Sequence, residues 1–259
     1  MEDNYELFKK DVFLLTKIDL NAYKERQMKR RIDALIAKHK YTTYSDYVKA
    51  LKSDKALFDE FVNYLTINVS EFYRNPELWK VLETDVLPVL LDKTKTLKIW
   101  SAACSTGDEP YSLVMALSKH IPLSKIRIIA TDIDKQVIAK AKVGLYNEKS
   151  IAAVPEDLKK KYFTKVGLSY QISDEIKSRV EFKEHNLLDN NFPTGYNMIV
   201  CRNVLIYFTE EAKDEVFRKF FTSLTPGGVL FIGSTEQIIN HRDMGYERKS
   251  SFYYEKPAK

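Results

Sequence analysis

Two carboxylates, Asp108 and Glu109, follow directly on Gly107 in the stretch Leu97-Lys-Ile-Trp-Ser-Ala-Ala-Cys-Ser-Thr-Gly-Asp-Glu-Pro-Tyr-Ser112. A short apolar run, residues 97–100, gives way to Ser101, Ala102, Ala103, Ser105 and Gly107, and a helical pattern begins at Pro110, so the stretch reads as strand, tight turn and helix. Small side chains let a ligand approach the backbone there, and the unsatisfied N–H groups that open the helix face it. A pyrophosphate would take those N–H groups with no carboxylate nearby, whereas an acidic pair in its place selects a cationic group. About 25 residues beyond Gly107, a second apolar run ends in Thr131-Asp-Ile-Asp134, where nucleotide-binding folds carry the acid that takes ribose hydroxyls. A ribose together with a positive centre points to S-adenosylmethionine.

The other reactive side chains suggest less. Cys104 and Cys201 each close an expected strand, and as neighbours in a doubly wound sheet they would lie near each other as buried free thiols, in keeping with a reducing compartment. His39, His120, His185 and His241 have no paired spacing to one another or to cysteine, so no metal site is expected.

The elements that must position these groups follow from periodicity. The length of 259 residues allows one or two domains. The net charge of +5 is too mild to mark a nucleic-acid binder by its total. The start, Met1-Glu-Asp-Asn-Tyr5, is acidic and leads into mixed charge, which excludes a signal peptide, and no apolar run approaches the roughly 20 residues of a membrane span. A cytoplasmic protein with no direct membrane insertion is expected.

Residues 1–75 read as an all-α domain. Tyr5, Phe8, Val12 and Leu15 share one helical face, Tyr44, Tyr47, Val48 and Leu51 a second, and Leu57, Phe58, Phe61, Val62 and Leu65 a third. Between them, a helix over 21–40 carries Met28, Ile32, Leu35 and Ile36 on a buried stripe, with Lys24, Arg26, Lys29, Arg30, Arg31, Lys38 and Lys40 around the rest and only Glu25 and Asp33 opposing them. Such a cationic surface suits an acidic partner. Asn75 and Pro76 then read as cap and first position of a helix running to Leu91, and Asp92-Lys-Thr-Lys95 leads into the first strand.

From residue 76 to 259, strand and helix signals alternate. Strands are expected over 97–100, 126–130, 179–184, 196–201 and 229–233, with a last one at 251–254 and a sharp turn at Pro226-Gly-Gly228. This pattern builds a Rossmann-like, doubly wound α/β sheet whose functional residues stand at the carboxyl ends of the strands. A small antiparallel insertion is expected around Gly167, over about 160–178.

The combination Asn68-Val-Ser-Glu-Phe-Tyr-Arg74, Trp100 through Ser112, Thr131-Asp-Ile-Asp134, Asn186-Leu-Leu188 and Cys201-Arg-Asn-Val-Leu-Ile-Tyr-Phe208 resembles the CheR family of chemotaxis receptor methyltransferases, over nearly the whole chain. The resemblance implies methyl transfer from S-adenosylmethionine, leaving S-adenosylhomocysteine, to glutamate carboxylates in the cytoplasmic helical bundle of membrane chemoreceptors. It assigns cofactor contacts to Asn68, Ser70, Arg74, Glu109, Asp132, Asn186, Leu187, Arg202 and Asn203, and the reacting end to Arg74 and Tyr207. Independently of the resemblance, the charge pattern of the helix over 21–40 makes Arg26, Lys29, Arg30 and Arg31 the candidates for holding the acceptor. Ser70 stands where many members have Thr, and Tyr73 where they have Phe; both keep the polarity or bulk needed. The hairpin around Gly167 resembles a subdomain by which some members grip a receptor tether, although no matching motif for that peptide is found. Two alternatives stay open. A nucleic-acid methyltransferase would share the sheet, but the chain lacks an Asn-Pro-Pro-Tyr-type motif and aromatic-basic interleaving. An inactive cofactor-binding signalling module would lose the reacting end, and Arg74 and Tyr207 are intact.

Overall fold

The structure, a computed structural model, describes residues 4–94 and 96–258; Met1, Glu2 and Asp3 of the acidic start and Lys95 of the link into the first strand lie outside the described residues. The chain forms two compact units, one of residues 1–68 with 204–216, the other of residues 69–203 with 217–259.

The first unit is built on four helices, α1 (Tyr5–Thr16), α2 (Glu25–Lys38), α3 (Tyr44–Ser53) and α4 (Lys55–Thr66). Three of the four start at side-chain caps: Asn4 accepts from Glu6 and Leu7 N–H, Thr43 from Asp46 N–H, and Asp54 from Ala56 and Leu57 N–H. The apolar stripes meet as their spacing requires, burying Phe8, Val12, Met28, Ile32, Leu35, Ile36, Tyr47 and Phe61. The helix expected over 21–40 is shorter. Asp19 caps a single 3-10 turn, Leu20–Ala22, and the backbone of Tyr23 is extended, so α2 begins only at Glu25. Extended Tyr23 forms an antiparallel bridge with Phe208, which brings the second segment of this unit into it.

In the second unit, α5 (Pro76–Val81), a π-helical turn (Leu82–Val86) and α6 (Leu87–Lys93) replace the one regular helix expected. The cause is Pro88, which has no N–H to donate and whose ring would strike the carbonyl four residues back; the turn widens, and Leu87 N–H reaches Leu82 O instead. The chain continues through β1 (Ile99–Ala102), α7 (Asp108–Leu117), β2 (Ile128–Asp132), α8 (Lys135–Val143), β3 (Leu145–Asn147), α9 (Glu156–Tyr162), β4 (Phe163–Val166), β5 (Ser169–Ile172), α10 (Asp174–Lys177), β6 (Val180–Glu184), β7 (Tyr196–Cys201), α11 (Glu210–Ser223), β8 (Leu224–Ile232), β9 (Glu247–Ser250) and β10 (Tyr253–Glu255).

The main sheet has the order β6-β2-β1-β7-β8-β10-β9, with the first five strands parallel and the last two antiparallel. β1 is wholly buried and β7 nearly so, as central strands covered on both faces must be. Because the five are parallel, their carboxyl ends share one edge of the sheet. Three expectations need correction. Pro226-Gly-Gly228 is not a turn into a strand; it lies within β8, where the β7–β8 register shifts, and Gly227 takes φ +73° at the irregularity. The last strand, β10, has an unforeseen partner, β9, whose Glu-Arg-Lys-Ser sequence carries no apolar alternation. The small insertion has a third strand, because β3 pairs with β5 ahead of the expected hairpin.

Candidate active site

The loop leaving β1 is tightly wound. Ala103, Ser105 and Gly107 have φ of +61°, +48° and +88°, a left-handed series that costs non-glycine residues about 1–2 kcal/mol each and needs fixing from outside. The fixing comes from the end of β2: Cys104 N–H donates to Thr131 O at 2.9 Å, and Ser105 N–H to Asp132 Oδ2 at 2.8 Å. Asp132 Oδ1 also accepts Asp134 N–H, at 3.0 Å. Burial pushes the Asp132 carboxyl up to about 6, against the pull of these two N–H groups. Gly107 is required by more than its φ, since a Cβ there would meet the Ala141 Cβ on α8 at 2.9 Å. The buried Ser105 Oγ has no hydrogen-bond partner in the protein.

The acidic pair divides. Asp108 is 1% exposed; its Oδ2 accepts the Thr106 hydroxyl, its buried Oδ1 has no hydrogen-bond partner, and burial raises its pKa against the pull of the Thr106 and Ser70 hydroxyls. Glu109 stands apart from that contact, at the buried end of Arg202. Its Oε1 accepts Ser101 Oγ at 2.8 Å, and its Oε2 lies 3.8 Å from the Arg202 guanidinium, beyond hydrogen-bond reach. Desolvation pushes the Glu109 carboxyl up to about 7, more than Arg202 and Ser101 can offset.

Arg202 spends its donors elsewhere. Its Nη2 donates to Arg74 O at 2.7 Å and to Asn75 Oδ1 at 3.1 Å, and the guanidinium lies 4.7 Å from the Phe231 ring. Asn75 therefore does not cap α5 as its position before Pro76 suggested; it takes φ +60° and turns its amide oxygen to Arg202. The Arg74 side chain is half-buried, donates to Val69 O at 3.2 Å, and lowers the pKa of Glu109. Asn203, at φ +60°, has its N–H held by Glu236 Oε2 at 2.9 Å, and the same oxygen accepts Gly233 N–H at 2.7 Å. Asn186 Oδ1 turns back to Leu188 N–H at 3.0 Å, and Leu187 is buried. Within this unit Arg202 joins Arg74 and Asn75 and lies 3.8 Å from Glu109, Asn203 is held separately by Glu236, and Asp132 is joined to its loop.

Sequence reasoning passed over Ser101, Glu236 and His185. Ser101 counted only as small. Glu236 follows β8 by a few residues, the place where acids at strand ends deserve scrutiny. His185, before Asn186, packs edge-on against Trp100 and Phe192 at 5.4 and 5.1 Å, with its buried Nε2 lacking a partner. Cys104 and Cys201 are buried free thiols on the loop after β1 and on the neighbouring β7, and burial raises both pKa values well above the usual range, which makes them inert.

Asn68 and Tyr207 belong to the helical unit, where Asn68 Nδ2 donates to Thr66 Oγ1 at 2.8 Å. The basic residues of α2 separate into two classes. Lys29 pairs with Asp33 at 3.0 Å, and Arg31 donates to Tyr64 O at 2.7 Å while stacking over the Tyr64 ring at 4.6 Å. Arg26 and Arg30 are exposed. Lys24, Gln27, Met28, Arg30, Arg31 and Ile67 line, with Tyr207, a cavity of about 310 Å³ whose wall carries three cationic side chains.

The donor set suits S-adenosylmethionine: a buried carboxylate at the end of β2, an orphaned Ser105 hydroxyl beside it, and a second carboxylate, Glu109, with no cation within hydrogen-bond reach. Among the described residues, no group of three or more His, Cys, Asp or Glu side chains is placed to hold a metal ion.

Two family models match the chain in order: "CheR methyltransferase, all-alpha domain" over residues 3–66 and "CheR methyltransferase, SAM binding domain" over residues 68–253. The chain is 42% identical to a chemotaxis protein methyltransferase of Listeria innocua over 255 residues, covering 98% of this chain and 97% of that protein. Its similarity to the protein of the same description from Listeria monocytogenes has the same extent. Chemotaxis protein methyltransferase 1 of Pseudomonas aeruginosa is 32% identical over 93% of this chain and 92% of its own.

Proposed function

The chain belongs to the CheR methyltransferase family, and on that premise we propose that it methylates glutamate side chains of chemotaxis receptors, with S-adenosylmethionine as donor. The observation that supports the reading is Glu109, a largely buried carboxylate that accepts one hydroxyl at 2.8 Å while its nearest guanidinium, Arg202, stays at 3.8 Å, outside hydrogen-bond reach, so that it can still accept from an ammonium group. The acceptor is the cytoplasmic helical bundle of the receptor, which places the enzyme in the cytoplasm.

Bound S-adenosylmethionine supplies an electrophilic methyl group on a positively charged sulfur. A glutamate carboxylate is already ionised at neutral pH, so no general base is needed, and the protein's task is alignment, which can supply about 7–11 kcal/mol at the limit. In this reading Asp132 takes the ribose hydroxyls, Glu109 the amino group of the methionine part and Asn186 the adenine edge. Asn68, Ser70, Leu187, Arg202 and Asn203 complete the contacts that the family resemblance assigns. Arg74 and the Tyr207 hydroxyl orient the reacting carboxylate. Methyl transfer from labelled S-adenosylmethionine, with receptor fragments and RNA as rival acceptors, tests the whole proposal: base-stable label in RNA would overturn it, and base-labile label in receptor glutamates is expected.

The raised Glu109 pKa makes a further expectation. A cationic ligand group favours the ionised carboxylate, so below about pH 7 Glu109 must first lose a proton. Affinity for S-adenosylhomocysteine should then fall by up to about tenfold per pH unit between pH 7 and pH 5, with proton release on binding. Calorimetry in buffers of different ionisation enthalpy reads both. Binding without proton release at pH 6 would make Glu109 a structural acid.

The acceptor surface is the cationic side of α2. Arg26 and Arg30 carry it, since Lys29 and Arg31 are engaged within the unit. Reversing both charges, Arg26→Glu with Arg30→Glu, should slow receptor methylation severalfold and leave cofactor affinity unchanged, because exposed charges steer encounter. The wild-type rate should also fall with salt, as screening acts over roughly 8–10 Å near physiological ionic strength. A charge-reversed enzyme as fast as wild type would move receptor recognition away from α2.

A further inference from the structure

Tyr207 follows β7 in the sequence, yet the segment that carries it packs in the helical unit. An antiparallel bridge holds it there. Lys24 N–H donates to Tyr207 O at 2.9 Å, and Thr209 N–H donates to Ala22 O at 2.8 Å, flanking the Tyr23–Phe208 pair. The rings of Tyr23 and Phe208 meet edge to face, with centroids 4.8 Å apart at 72°, and Phe208 is buried. Lys24 is also the residue from which α2 starts, because its carbonyl accepts the N–H groups of Gln27 and Met28. One residue thus ties the first turn of the basic helix to the backbone of Tyr207. Local structure gives Tyr207 little else: it ends a single 3-10 turn, Leu205–Tyr207, closed by bonds of 3.3 and 3.0 Å. Turns of this length are marginal without tertiary support.

We infer that the Tyr23–Phe208 bridge positions the Tyr207 hydroxyl, so that docking of an acidic acceptor helix on α2 and presentation of its carboxylate to Tyr207 occur on one rigid piece. Tyr23 and the Lys24 backbone are positioning groups and touch no reacting atom. The inference rests on the proposed role of Tyr207, and on α2 as the docking helix. It explains why Lys24, Arg30 and Arg31 share a cavity wall with Tyr207. A carboxylate drawn in by Lys24 and Arg30 arrives beside the hydroxyl, and the bridge keeps the spacing between them constant.

The backbone allows a direct test. Lys24 has φ −59°, which proline adopts, and Tyr23 before it is extended at φ −103° and ψ 153°, as a residue preceding proline prefers. Lys24→Pro therefore removes the N–H that bonds Tyr207 O without straining the chain, and Lys24→Ala removes the side-chain charge alone. With a chemoreceptor bundle fragment as acceptor, kcat of Lys24→Pro is expected to be roughly three- to tenfold below that of Lys24→Ala, the range for one hydrogen bond, with equal acceptor KM and equal affinity for S-adenosylhomocysteine. Tyr23→Ala should lower kcat in the same selective way, and Tyr23→Phe, which keeps the ring contact, should restore it. A Lys24→Pro enzyme that turns over as fast as Lys24→Ala overturns the inference, as does a loss that lies in KM. Tyr207→Phe in the same assay separates the two levels. If it is slow while Lys24→Pro and Tyr23→Ala are not, only the bridge fails; if it is as fast as wild type, the role of Tyr207 fails and the bridge with it.

Discussion

Asp132→Ala is expected to weaken S-adenosylhomocysteine binding by about 3 kcal/mol, roughly a hundredfold, by removing two charge-assisted hydrogen bonds to vicinal hydroxyls. The side chain is 6% exposed at the end of β2, and it also holds the N–H groups of Ser105 and Asp134. The alanine variant thus loses ligand contacts and also frees a loop that carries three left-handed residues. Asp132→Asn separates these effects. Its amide oxygen can still accept one of the backbone N–H groups, so the loop should stay folded, while the charge that strengthens the ribose contacts is gone. Calorimetric titration is expected to rank wild type above Asn above Ala. Equal affinity in all three would remove Asp132 from the cofactor site. A variant that unfolds at lower denaturant but binds normally would make Asp132 a loop anchor only.

Arg202→Met should destabilise the protein by about 3 kcal/mol at pH 8, because removing one member of a buried ion pair leaves the other uncompensated. Methionine keeps apolar contact with Phe231, and the acceptors that Arg202 leaves are not all orphaned. Arg74 O retains the Trp79 Nε1 donor at 3.0 Å, and Asn75 Oδ1 retains Ser234 Oγ at 3.4 Å. About half of the loss therefore falls on charge, and that part depends on pH in a direction that can be worked out. The Glu109 pKa is raised from 4.5 to about 7 on folding, so its stability contribution is full below pH 4.5 and is lost as pH rises through 7. Without Arg202 the folded-state pKa rises further, and the variant goes on losing stability above pH 7, by about 1.4 kcal/mol per pH unit. Urea unfolding at pH 5 and pH 8 should show the smaller difference from wild type at pH 5, by roughly that amount. A pH-independent loss would assign the effect to packing and hydrogen bonds and would detach Glu109 from Arg202.

Local order along the chain was enough to recognise the amphipathic stripes of α2, α3 and α4, the alternation of strand and helix from β1 onward, and the acids at the loop after β1 and the end of β2. Each of these is a signal carried by neighbours within a few residues: spacing of apolar side chains, small residues at a close turn, a carboxylate after a buried run. The irregularities were less legible. Pro88 widens a helix whose period looks intact, and Gly227 sits inside a strand where Pro-Gly-Gly reads as a turn, because each local preference yields to the packing of the whole element.

Residue types and spacing carried the set of elements, the family they resemble and three acids, Asp108, Glu109 and Asp132, at the ends of two strands with nucleoside and cationic chemistry. Tertiary structure alone decided how the polar groups pair. It separated Asp108, tied to Thr106, from Glu109, held by one hydroxyl and a guanidinium 3.8 Å away. It turned Asn75 from a cap into an acceptor for Arg202, engaged Lys29 and Arg31 while leaving Arg26 and Arg30 exposed, and joined Tyr207 to the start of the basic helix. The physical reason is common to all of these. Hydrogen-bond partners and desolvation are set by groups far apart in the chain, and a side chain's charge state and freedom depend on those partners rather than on its neighbours in sequence.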